Sequence, residues 1–100
     1  MEAKIYVLEW CYYRRGEVDC GHSIHTSKED ALWNLESNYQ TAVYNVTPEH
    51  THDELDMDEY DGENGYYRVE RYAADSWEEC KLVEHELEIE LDINIKLANV

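Results

Sequence analysis

From Val83 to Leu97 the chain alternates apolar and polar residues almost without a break. A period of two residues is the signature of an extended strand with one dry and one wet face. Val83, His85, Leu87, Ile89 and Leu91 share one face, and Glu84, Glu86, Glu88 and Glu90 share the other. The pattern continues through Ile93, Ile95 and Leu97, so the strand over residues 80–91 is either unusually long or broken into two near Asp92. A dry face of that length must be covered, which commits the chain to a sheet with another layer against it.

The rest of the sequence supplies both. Residues 4–13 are rich in β-branched and aromatic types and read as a strand. Arg15-Gly16 provides a two-residue turn, and residues 18–25 return as the second strand. That turn pairs Tyr13 with Val18, Cys11 with Cys20 and Val7 with Ile24. The core face of this hairpin is expected to carry Ile5, Val7, Cys11, Tyr13, Val18, Cys20 and Ile24. Tyr6, Leu8, Trp10 and Tyr12 then lie on the opposite face, beside Asp19, Gly21, Ser23 and His25.

Ser27 is a helix N-cap, followed by Glu29 and Asp30 where the helix dipole favours negative charge. At 100° per residue, Ala31, Leu32, Leu35, Tyr39, Ala42, Val43 and Val46 form one apolar stripe, predicting a helix over Lys28–Val46. Trp33 and Tyr44 fall outside that stripe. Residues 66–73 form a third strand and 80–91 a fourth. The segment 49–65 between helix and third strand is read as a solvated acidic loop, with a short helical turn after the capping box Thr51-x-x-Glu54. The expected fold is one α+β domain over residues 1–100: an antiparallel sheet of four or five strands in ββαββ order, with one helix on one face. The expected buried set is Leu32, Leu35, Tyr39, Val43, Val7, Ile24, Val69, Leu87 and Ile89.

Charge limits the function. Twenty-four acidic residues oppose eight basic ones, a formal net charge of −16 over 100 residues. Nucleic acid and anionic membranes repel such a chain, because binding either needs cations to displace counterions. Basic protein surfaces attract it. No apolar run reaches the roughly 20 residues of a membrane span, and the opening MEAKIYVLEW lacks the pattern of a secretion signal. A cytoplasmic protein with Cys11, Cys20 and Cys80 as free thiols is expected.

Motifs for chemistry fail on spacing. His22, His25, His50, His52 and His85 make no pair of pairs with the cysteines at zinc-site separations. Counting back from Gly62 places Met57 at the first position of a calcium loop, where no ligand is available. No serine lies in a nucleophile elbow, and no glycine-rich loop cradles phosphate. The reading is a binding protein rather than an enzyme, with no catalytic residues, metal ligands or cofactor.

Two acidic segments stand out. Seven of the eleven residues from Asp53 to Glu63 are acidic: Asp53, Glu54, Asp56, Asp58, Glu59, Asp61 and Glu63. Alternate residues of a strand lie ~6.6–6.8 Å apart, so Glu84, Glu86, Glu88 and Glu90 form an evenly spaced row of negative charge, similar to a nucleic-acid backbone. Nine tyrosines and three tryptophans with no phenylalanine favour interface chemistry. Trp10 and Tyr12 are the expected short-range anchors beside these carboxylates.

The segment DELDMDEYDGE, the ladder EHELEIELD and the Tyr/Trp-rich strands together resemble the small acidic inhibitors of phages and mobile elements. That class includes anti-restriction and anti-CRISPR proteins of the DNA-mimic type. The resemblance implies an inhibitor that occupies the basic surface of a nucleic-acid-binding protein or nucleoprotein complex, without binding nucleic acid or membrane itself. Two alternatives use related physics: an immunity protein or antitoxin against a basic nuclease toxin, and a carboxylate-rich metal-binding accessory protein. The oligomeric state stays open between monomer and homodimer.

Overall fold

The computed structural model describes residues 2–88. It is an α+β arrangement of five antiparallel strands and one long helix. The strands are β1 (Glu2–Arg14), β2 (Glu17–His25), β3 (Met57–Asp61), β4 (Tyr66–Arg71) and β5 (Ser76–Glu88), and the helix is α1 (Lys28–Val46). Their order across the sheet is β2-β1-β5-β4-β3. The predictions for Ile89, Leu91 and beyond, including a break near Asp92, lie outside the described residues.

Local signals behave as expected. Arg15 and Gly16 both take positive φ, 50° and 90°, the geometry of a tight hairpin turn. The register follows, with Tyr13 opposite Val18, Cys11 opposite Cys20 and Val7 opposite Ile24. The helix starts at the Ser27 cap, whose Oγ accepts from the Asp30 amide at 3.2 Å. It ends where the Thr47 hydroxyl donates back to the Val43 carbonyl at 2.6 Å, just before Pro48. Ala31, Leu35, Tyr39, Ala42, Val43 and Val46 are buried, and Leu32 packs half-buried beside them.

The hairpin presents the opposite face to the helix from the one expected. Leu8 is fully buried under α1 and Trp10 packs against the same core, joined by Tyr67, Val69 and Cys80 from β4 and β5. Val18 and Ile24 are exposed, at 62% and 61%, and Val7 is half-buried on the far side. Both faces of β1 are apolar, so alternation alone cannot choose between them. Pairing decides. Leu8 aligns with Leu82, Trp10 with Cys80, and Cys80 with Tyr67, which builds one contiguous apolar surface across three strands. Gly21, opposite Trp10, makes room for the indole: a Cβ there would lie 2.7 Å from the ring.

Two further expectations are corrected. Residues 57–61 form β3, an edge strand paired with β4, so the segment 49–65 is not a loop throughout. Tyr60 faces Tyr67 and stacks on Tyr39 with ring centroids 4.6 Å apart, and this aromatic contact holds an otherwise acidic strand to the sheet. The capping box at Thr51 does form, around the short 3₁₀ turn His52–Glu54. Cys11 and Cys20, expected to remain reduced, are joined as a disulfide across the hairpin, and Cys80 is a free, buried thiol that burial pushes up to about 12.

One buried polar cluster lies under the helix. Tyr67 donates to Glu78 at 2.6 Å, and the Arg14 guanidinium donates to the other carboxylate oxygen at 3.3 Å. Burial raises the Glu78 carboxyl above its usual range despite both partners. A carboxyl raised in the folded state favours folding most where it is protonated, and that contribution is lost as pH rises through the folded value. Glu78→Gln is therefore expected to be more stable than wild type at pH 7, with the gap closing as pH falls towards 4. Glu78→Ala should instead lose ~1–3 kcal/mol, because the Tyr67 hydroxyl is left without an acceptor. Thermal melts of the three proteins at both pH values check the two signs.

Candidate acidic interaction surface

The carboxylates expected to form one electrostatic site divide into two groups once their partners are visible. Four of the seven in the 53–63 segment hold the local fold. Glu54 accepts from the Glu49 amide at 3.0 Å and from the Thr51 amide and hydroxyl at 3.3 and 3.2 Å. Asp56 accepts from the Tyr72 amide at 2.7 Å, tying the segment to the turn before β5. Asp58 takes the Tyr39 hydroxyl at 2.5 Å and the His52 ring nitrogen at 2.8 Å, so helix, 3₁₀ turn and β3 meet at one carboxylate. Asp61 closes the turn into β4, accepting the Asn64 side-chain amide at 2.8 Å and the Glu63 and Asn64 backbone amides at 3.0 Å. Those bonds, led by the Asn64 side chain, hold its carboxyl below the usual range.

Asp53, Glu59 and Glu63 are different. All three are exposed, and their side chains make no hydrogen bond or ion pair among the described residues. They lie around the outer edge of the sheet, on the 3₁₀ turn, on β3 and on the turn after it. Glu63 also borders a small cleft with Glu84, Lys28 and Asn64, so the two acidic segments of the sequence do meet at one point.

The glutamate row is less bare than expected. Glu84 and Glu86 share Lys4 of β1, at 3.3 and 3.9 Å. They point to the helix side of the sheet, the same side as Glu78. Glu90 and the side chain of Glu88 lie outside the described residues.

The anchors change too. Trp10 is half-buried in the core cluster, and Tyr12 lies half-buried beneath the Arg14 guanidinium with its hydroxyl donating to Asp19 at 3.0 Å. Two strands, β5 and β4, separate the strand of Trp10 from β3. The exposed aromatics on α1 and β3 are others. Trp33 is 70% exposed on α1, within the same exposed helical stripe as Glu29, Glu36 and Gln40. Tyr60 is 42% exposed, its hydroxyl is raised by burial and then by the Glu36 charge, and its stack on Tyr39 brings α1 and β3 together. Trp33 was legible as surplus to the helix stripe. Tyr60 was not, because it sat inside a segment read as a loop.

The segment that supplies this edge is of one sign in sequence, with Lys28 and Arg68 at its margins. Between Glu29 and Tyr67 the chain contains eleven carboxylates and no lysine or arginine. Among the described residues, no group of three metal-ligating side chains is placed to hold an ion. No helix of the described residues is long and apolar enough to cross a membrane. No protein-family model, curated protein or solved structure matches the chain, and what the surface can do is read from its geometry alone.

Proposed function

We propose that this protein is an acidic binding protein that occupies the basic surface of a nucleic-acid-binding protein or nucleoprotein complex and so inhibits it. The observation that carries the reading is the interval from Glu29 to Tyr67, with eleven carboxylates and no lysine or arginine, in which Asp53, Glu59 and Glu63 are exposed and make no side-chain bond among the described residues. A groove that tracks phosphates sees a similar field in such a surface. Trp33 and Tyr60 supply desolvated contact within it, which charge alone does not.

The mode of action follows from the physics of each part. Carboxylates steer the encounter and select basic partners, while buried aromatics set the residence time. Binding and nucleic acid are then mutually exclusive at the target. The test is capture of nucleic-acid-binding proteins on immobilised protein at low salt, followed by challenge with duplex DNA, RNA or rising salt. Release by nucleic acid, and a steep loss of binding between about 50 and 200 mM salt, are the expected results. Capture indifferent to both would remove the mimic reading and favour a neutral, shape-driven partner.

A further inference from the structure

The sheet has a second face, and α1 does not cover it. On that side β1 presents Ile5 and Val7, β2 presents Val18 and Ile24, and β5 presents Val83, around the Cys11–Cys20 bridge. Val18 and Ile24 are among the most exposed large apolar side chains of the described residues. Over β2-β1-β5 the carboxylates of this face have partners. Glu9 pairs with Lys81 at 3.8 Å, and Glu79 pairs with Arg68. Within β2-β1-β5 both Glu9 and Glu79 have a cation partner, so this part of the face offers a basic partner little, while Glu59 lies on the same side of the sheet but out at the β3 edge.

We infer that this face is the contact between two copies of the chain, packed sheet on sheet with the apolar β2-β1-β5 surfaces facing each other across a two-fold axis. At ~3.3 Å per residue and ~4.8 Å between strands, the face of these three strands covers about 550 Å² per copy. A pair buries about 1,100 Å², just above the roughly 1,000 Å² that a specific interface needs.

Salt separates this contact from the acidic surface. Each copy carries −16, so repulsion opposes pairing and screening relieves it. Dimerisation tightens as salt rises, while binding of a basic partner weakens. The experiment is sedimentation velocity on the full chain from 1 to 100 µM, at 50 and 500 mM NaCl, for wild type and for Val18→Lys/Ile24→Lys. Wild type should be dimeric in the micromolar range, several-fold more tightly at 500 mM. The double variant should be monomeric with an unchanged circular dichroism spectrum, since both side chains project from an exposed edge strand. A wild-type monomer at every concentration and both salts overturns the inference. So does a double variant that pairs like wild type. A wild-type monomer whose melting temperature falls in the double variant overturns it as well, since the face is then covered within one chain.

Discussion

Changing Asp53, Glu59 and Glu63 together to Asn, Gln and Gln should slow association with a nucleic-acid-binding partner by about tenfold or more at low salt, and flatten its dependence on salt. These three carboxylates are chosen because the structure leaves them free, so their charge is removed without breaking a bond. Folding should hold or improve slightly, since three charges leave a surface already at −16. Asp58→Asn provides the contrast. It weakens acceptance from Tyr39 and His52 where three elements meet, and acts on stability first. Trp33→Ala should leave association nearly unchanged and speed dissociation by about thirtyfold for a hot-spot loss of ~2 kcal/mol, whereas Tyr60→Ala also removes the stack on Tyr39 that holds β3 and should lower stability as well. Stopped-flow or surface-capture kinetics at two salt concentrations resolve the two effects. Wild-type association rates for the triple variant at both salts would leave the acidic surface as a solubility device.

Leu35→Ala should destabilise the fold by ~2–5 kcal/mol, the cost of an empty space at a site with no exposure. Leu35 sits at the centre of the buried helix stripe, over Leu8, Tyr67 and Val69. Gly65→Ala should cost a comparable ~2–4 kcal/mol for another reason. Gly65 takes φ of +82°, and a Cβ there would lie 2.5 Å from the Leu82 Cβ, so left-handed strain and overpacking add. Its carbonyl also accepts from the Leu82 amide at 2.7 Å, which leaves the backbone little room to move away. Urea unfolding, with the slope unchanged and only the midpoint shifted, distinguishes lost stability from a changed denatured state. A shift of less than about 1 kcal/mol in Leu35→Ala would mean that the helix does not pack where described.

Much of this molecule was legible in its sequence, and the legible part is the local part. The Arg15-Gly16 turn sets the β1–β2 register through short-range geometry, and the Ser27 cap and apolar stripe set both ends of α1. These depend on residues within a few positions of one another, so spacing alone determines them. The total charge is likewise a property of composition. The tertiary structure decided three things that spacing cannot. It chose the Leu8–Trp10 face of the hairpin for the core, because both faces of β1 are apolar and only alignment with Cys80 and Tyr67 across two strand pairings distinguishes them. It drew Met57–Asp61 out of an acidic segment into β3, since stacking of Tyr60 on Tyr39 compensates a weak strand propensity only when helix and sheet are assembled. It also sorted equivalent carboxylates into braces and free charges: Asp58 and Glu59 are neighbours in sequence, yet alternation sends Asp58 towards Tyr39 and His52 and Glu59 to solvent.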